Sequence, residues 1–372
     1  MIKKRTSDEE QISRIALKMV PMVGDSLARN LISYCGSAES VFKEKKSKLL
    51  KIPGIGEAIA GNLTSFKNFG KAEEELAFTY KHKIKICFYA DEHYPRRLKQ
   101  LSDAPFLFYY RGTADLNHDK IVSIVGTREA TEYGKNFCQR FIEDLVPHKV
   151  LIISGLAYGI DIAAHKASLK NELPTIGVLA HGLDKIYPSA HKNTAVKMLD
   201  NGGLLSEYMS GTQPDREHFP DRNRIVAGMS DAVVVVEAAI KGGALITAEY
   251  GNSYNRDVFA LPGRSNDAYS AGCNRLIKTN KATLLETADD LMYYMGWEQK
   301  KPQRKSGQAT LLLDLSPPEK LILEILSTAE RLHIDELSQA CVLPNSELAL
   351  LLLNLEFNGI IKSLPGNYFM RT

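Results

Sequence analysis

The chain has 372 residues, 44% of them hydrophobic and 24% charged, with 47 Lys and Arg against 44 Asp and Glu for a formal charge of +3. That balance excludes a disordered or low-complexity protein, and the length calls for two or three domains. The near-neutral total excludes little about partners until its distribution is read: residues 1–85 carry an excess of basic side chains and residues 311–372 the reverse. The start, "MIKKRTSDEEQ", leads into no apolar stretch and no run of about 18 apolar residues follows anywhere, so a cytoplasmic protein with no membrane partner is expected. The five cysteines, Cys35, Cys87, Cys138, Cys273 and Cys341, are scattered and form no C-x-x-C pair. They suggest small core residues, not a disulfide framework or a metal site.

The front of the chain contains a repeat. "LKMVPMVGDSLARNLIS" (17–33) and "LLKIPGIGEAIAGNLTS" (49–65) superimpose at an offset of 32 residues, matching Pro21 with Pro53, Gly24 with Gly56 and Asn30 with Asn62. Each copy reads as a helix end, a tight turn and a second helix. In "IPGIG" the glycines free the turn for positive φ and leave its amides open to a backbone phosphate. The pattern resembles the helix-hairpin-helix motif, the second copy more closely, because Met22 stands where the second copy has Gly54. Lys43, Lys45, Lys46, Lys48 and Lys51 precede the better copy, either as a DNA-facing patch or as a solvated face.

From about residue 84 strands alternate with helices: "IKICFYA", "FLFYYRG", "KIVSIVG", "KVLIISG", "PTIGVLA", "DAVVVVEAA" and "RDVFALPG". Near-continuous apolar runs predict strands covered on both faces, hence a mostly parallel Rossmann-type α/β sheet. Residues 299–314 read as a polar, basic linker, and residues 315–372 show helical periodicity three times before the hairpin-like "GIIKSLPGNYFMR", which is winged-helix order. The acidity of that tail argues against ordinary DNA binding and for a protein-contact role. The expected organisation is a helical domain over 1–83, a Rossmann-like core over 84–298, the linker, and a winged helix over 315–372.

Ligands of such sheets bind beyond the strand C-termini. A dinucleotide would require G-x-G-x-x-G, whereas "SGLAYGID" spaces Gly155 and Gly159 as G-x-x-x-G. "KGGALITAE" (241–249) partly matches the "PGGxGTxxE" signature of nucleotide phosphoribohydrolases of the lysine-decarboxylase-like type. Gly242, Gly243 and Glu249 agree with it, while Lys241, Leu245 and Ile246 depart from it. A nucleic-acid backbone uses more of the rim. Arg128 follows Gly126 and Thr127 at a strand end, where its guanidinium can grip a phosphate bidentately. Arg222, Asn223 and Arg224 open a helix, Lys185 follows the turn from Gly182, and Tyr158 and Tyr187 offer rings for stacking. Asp161 is expected to cap the helix after Ser154–Gly159 by accepting from the amides of residue 163 or 164, leaving the amides around Gly155 and Gly159 for a phosphate. His165 is read as a packed histidine; no metal, no cofactor and no catalytic residue set is indicated.

Taken together, "YPRRLKQLSDAPFLFYYRG", "SIVGTREATEYG", "ISGLAYGIDIAAH", "GVLAHGLDKIYP", "LLSEY", "FPDRNRIVAGMSDAVVVVEA", "GALITA", "VFALPG" and "AGCNRLIKTNKA" resemble, in order and spacing, the DNA-processing protein A (DprA/Smf) family over residues 90–285. The resemblance implies a non-enzymatic protein of natural transformation that binds and protects incoming single-stranded DNA and loads the RecA recombinase. It also implies a homodimer through an extended Rossmann core, flanked by a SAM-like helix-hairpin-helix domain and a winged helix. The implied DNA pocket comprises Gly126, Thr127 and Arg128, the loop Ser154–Asp161, the turn Gly182–Tyr187, and Arg222–Arg224. His191 stands where the family commonly has asparagine, and "KGGALITA" replaces a Ser-Gly-Ser form of that loop.

Overall fold

The computed structural model of the chain describes residues 7–297, 315–327, 329, 331–364 and 368–371; the expected linker lies outside them. Six helices come first: α1 (Asp8–Met19), α2 (Asp25–Cys35), α3 (Ala38–Lys43), α4 (Lys46–Leu49), α5 (Glu57–Ser65) and α6 (Phe69–Lys81). The sequence repeat becomes two helical hairpins that lock each other's turns. Asn30 donates from Nδ2 to the carbonyl of Pro53 at 2.9 Å, and its counterpart Asn62 donates to that of Pro21 at 3.1 Å. Both turns need a left-handed residue at the matched position. Gly54 takes it freely at φ +87°, while Met22 takes it at φ +67° against the steric preference of an L side chain. Lys43, Lys46 and Lys48 pair with Glu39, Glu57 and Glu44, so most of that basic run is a neutralised, solvated face.

A nine-stranded sheet follows: β1 (Lys85–Phe88), β2 (Leu107–Gly112), β3 (Ile121–Val125), β4 (Leu151–Ser154), β5 (Thr175–Leu179), β6 (Gly202–Ser206), β7 (Ala232–Val235), β8 (Asp257–Ala260) and β9 (Thr283–Leu284). Its order is β1-β2-β6-β5-β4-β3-β7-β8-β9, parallel from β6 to β9 with β2 and β1 antiparallel at one edge. Every residue of β3 through β7 is buried, as the apolar runs require. Strands β6 and β9 are absent from the sequence expectation. The first opens on two glycines, which mask a strand pattern but let the Tyr110 hydroxyl reach the Gly202 carbonyl at 2.9 Å; the second has two residues and shows no periodicity.

The connecting helices are α7 (Arg96–Lys99), α8 (Glu132–Asp144), α9 (Ile160–Lys170), α10 (Lys192–Met198), α11 (His218–Gly228), α12 (Gly243–Ser253), α13 (Ala271–Lys278) and α14 (Ala288–Tyr294). Alternation along the strands divides the core. Ile121, Ile153 and Val233 pack with Val226 and Ala248 of α11 and α12, while Val122, Ile152 and Val234 pack with Phe141, Ala164 and Leu291 on the other face.

Leu17, Leu31 and Leu63 of the front helices share a third cluster with Phe88, Phe106 and Tyr109 of the sheet edge, so the front and the sheet make one unit that runs to residue 298. The expected boundary at residue 83 falls within this shared core. A buried charge cluster crosses the same junction. Glu207 accepts from Arg224 Nη2 at 2.6 Å and from Lys18 Nζ at 3.2 Å, and Arg224 also meets Asp25 at 3.3 Å. Against the cost of burial, Lys18 and Arg224 hold the Glu207 carboxyl down at about 2.

The second unit contains α15 (Pro317–Leu326), β10 (Leu332–His333), α16 (Ile334–Cys341), α17 (Asn345–Phe357), β11 (Ile361–Leu364) and β12 (Tyr368–Arg371), with the strands ordered β10-β12-β11. Ile322, Leu337, Leu352 and Ile361 form its core. This is the winged-helix order expected of the tail. Among the described residues no single helix is long and apolar enough to cross a membrane.

Candidate nucleic-acid interface

Strands β3 to β6 are laid down in one direction across the sheet and β7 to β9 in the other, so the order reverses between β3 and β7. A crevice at the strand C-termini is the expected consequence. A cleft of about 520 Å³ opens there, walled by the segment after β3, the loop after β4, α11 and the loop into α12.

Of the residues singled out in the sequence, this cleft collects Gly126, Thr127, Arg128, Gly155, Asp161, Arg222 and Asn223. Arg128 is exposed, and among the described residues it enters no ion pair. Its guanidinium lies 5.0 Å from the ring centroid of Phe219. Phe219 and Arg216 line the cleft but are missing from the sequence expectation, which began the basic segment at Arg222. An aromatic residue just ahead of "DRNR" was the available signal, since a ring beside cations is what a stacked base requires. Tyr187 lies beside this wall, its ring 6.3 Å from that of Phe219.

The loop from Ser154 to Gly159 is tied down from within. Asp161 does not cap α9 as expected; that position is taken by Gly159. Its Oδ2 turns back and accepts from the amides of Gly155 at 3.1 Å and Ala157 at 3.3 Å, so those amides are spent on Asp161 and are not free for a phosphate. Burial pushes the Asp161 carboxyl up, opposed by Arg222 and by these two amides.

Arg222 is buried as well. It donates from Nη1 to the carbonyl of Gly155 at 2.6 Å and to that of Val178, and from Nε to Asn223 Oδ1 at 3.1 Å. It therefore acts on the loop before it acts on a ligand. His191 donates from Nδ1 to the carbonyl of Leu156 at 2.9 Å, a residue held at φ +56°, and Ser154 donates to the carbonyl of Ile124 at 2.6 Å. Gly159 sits at φ +77°, and a β-carbon there would also collide with the backbone of Thr127 and Arg128, so only glycine fits. His165 is packed, as expected, with Nδ1 2.7 Å from Thr175 Oγ1.

Six other expected contacts lie outside this cleft. Arg224 is consumed by Glu207 and Asp25 and does not line the cleft. Lys185 sits 3.5 Å from Asp184 and lines a separate depression against α10, and Gly182 is buried with its amide on the Thr212 carbonyl. Ser154 is buried. Tyr158 and Gly159 line an adjoining trench instead, which Arg128 shares.

Gly242 and Gly243 border the cleft, but Glu249 does not. It is exposed and lines a different hollow with Lys241 and Arg275. The hydrolase reading needs that carboxylate beside the phosphate cradle, and a turn of α12 points it away. Among the described residues no group of three or more His, Cys, Asp or Glu side chains converges on a metal position.

Residues 85–296 match the family model of DNA recombination-mediator protein A, and residues 306–367 match that of the DprA winged helix domain. Protein Smf of Synechocystis is 32% identical over 401 residues, covering 98% of this chain and all of that protein. DNA processing protein DprA of Streptococcus pneumoniae is 42% identical over 202 residues, covering 54% of this chain and 71% of that one. The X-ray structure of the Streptococcus pneumoniae protein superimposes with a TM-score of 0.67 at 31% identity, covering 78% of this chain and 98% of that one. The structure of DNA processing protein A from Helicobacter pylori, described for its single-stranded DNA binding mode, gives 0.53 at 29% identity over 58% of this chain and 96% of that one.

Proposed function

The chain belongs to the DNA-processing protein A (DprA/Smf) family, and from that membership we propose that its rim cleft holds the sugar–phosphate backbone of single-stranded DNA. The observation that carries this reading is Arg128: an exposed cation with no ion pair among the described residues, set against the Phe219 ring, at the mouth of a cleft whose one lining carboxylate, Asp161, is buried and occupied by backbone amides. A cation beside a ring meets a phosphate and a base face of one nucleotide together, and neither contact depends on sequence.

In this reading the protein protects incoming DNA during natural transformation and delivers it to the RecA recombinase as a homodimer through the Rossmann core. Family membership supports these later steps, and the cleft supports the first. The test is an anisotropy titration of a labelled oligothymidine strand at several salt concentrations, with unlabelled duplex as competitor. Tight, salt-sensitive binding that duplex competes poorly is expected. Weak binding indifferent to strand form would remove the assignment.

A further inference from the structure

The trench that adjoins the rim cleft is a site in its own right. It has a volume of about 490 Å³, runs between α8 and α9, and begins where the cleft ends, because Arg128 borders both. Its charge is one-sided. Arg128, Lys135, Lys166 and Lys170 line it, and Glu129 is the single acid there, its carboxylate already accepting from the Tyr269 hydroxyl. Lys135 pairs with Glu132 at 2.8 Å. Lys166 and Lys170, one turn apart and exposed on α9, enter no ion pair among the described residues.

The floor between them is low, formed by Gly159, Ala163 and Ala167, so a strand lying in the trench could bring successive phosphates within reach of both lysines. Tyr158 stands exposed at the junction, its ring held edge-on by His191 at 4.9 Å, where a base leaving the cleft would meet it.

We infer that the α8–α9 trench is a second backbone subsite for the same single strand, which passes from the rim cleft over Gly159 and continues along Lys166 and Lys170. The inference rests on the rim cleft holding single-stranded DNA. It assigns to the trench the length dependence of binding: a strand of a few nucleotides fills the cleft alone, and a longer one gains the trench contacts.

The two sites separate in one experiment. Labelled oligothymidines of about 5 and about 25 nucleotides, bracketing ordinary single-strand site sizes, are titrated against the full chain, Arg128→Glu, and the double variant Lys166→Glu/Lys170→Glu. For the double variant the long strand should lose at least ten-fold in affinity. Its salt slope should fall by about 1.4, or about 0.7 for each phosphate contact on a single strand, while the short strand binds as to the unchanged protein. A long strand held equally well by the double variant overturns the inference, and so does an equal loss for both lengths, because the lysines then act only as a general field. Loss confined to the long strand, with Arg128→Glu silent at both lengths, would remove the rim assignment and with it the continuous path from rim to trench, leaving the lysines as a separate contact. Both lysines are exposed; Lys166→Gln/Lys170→Gln, which adds no repulsion, should show the same length selectivity at smaller amplitude.

Discussion

Arg222 and Gly155 are fitted to each other: the arginine donates from Nη1 to the glycine carbonyl at 2.6 Å, and a β-carbon on residue 155 would lie 2.5–2.7 Å from the guanidinium. The strand-end loop, with Asp161 accepting from its amides and Arg222 donating to its carbonyl, is thus a buried polar lattice rather than an open phosphate cradle. Replacing Arg222 by Met strands the carbonyls of Gly155 and Val178, at about 1–3 kcal/mol for each buried unpaired group. Urea unfolding should register a loss of about 3 kcal/mol, and single-strand affinity should fall with it. A loss below about 1 kcal/mol would mean that the loop is held by something else.

Phe219 should carry a stacking contribution. Phe219→Ala is expected to weaken oligothymidine binding by about 1–3 kcal/mol, the range for a single base on an aromatic platform, and Phe219→Trp to retain it. Anisotropy at fixed salt checks both. The salt slope should be unchanged by either, because a ring releases no counterions; a slope that moves would argue against stacking.

Arg224 gives the opposite pattern. Its ion pair with Glu207 ties α11 to the end of β6, and the cluster reaches the front helices through Lys18 on Glu207 and Arg224 on Asp25. Arg224→Met leaves Glu207 buried with one cation fewer, a change in the range of about 3–5 kcal/mol. Stability should fall by that order, while the DNA affinity of the folded fraction stays within about two-fold. An affinity loss matching that of Arg128→Glu, without the stability loss, would restore Arg224 to the DNA site.

His165 should make stability depend on pH. Burial, with His191 and Arg222 nearby, lowers its folded value to about 3 from an ordinary 6.5. Between these values the unfolded chain binds the proton and the folded chain does not, so its contribution is complete above about pH 6.5 and is lost as pH falls toward 3, by up to about 1.4 kcal/mol per pH unit. Denaturant midpoints measured from pH 7 to pH 4.5 should fall less steeply for His165→Asn. Parallel slopes would show that His165 is charged or exposed in the native protein.

The winged-helix unit has its own core, separate from that of the sheet. A chain ending at residue 298 should fold and keep its oligothymidine affinity within about three-fold. A ten-fold loss or more would mean that the tail takes part in holding DNA.

The elements that sequence determines here are those governed by local rules. Unbroken apolar runs dictated the buried parallel strands, because a strand covered on both faces has no polar side to show. The match of Asn30 with Asn62 and Pro21 with Pro53 marked a duplicated hairpin, because the same turn chemistry recurs at fixed spacing. What the sequence could not contain is which polar groups would be left over once the chain had folded. Arg128 follows a strand and Arg222 and Arg224 lie within α11; all three are the same residue type, and only the tertiary structure gives the second to a loop and the third to Glu207 and leaves the first with no ion pair among the described residues. Asp161 likewise looks like a cap until Gly155 and Ala157 come within its reach. A side chain's availability to a ligand depends on whether another group has already satisfied it, and that pairing exists only in the folded chain.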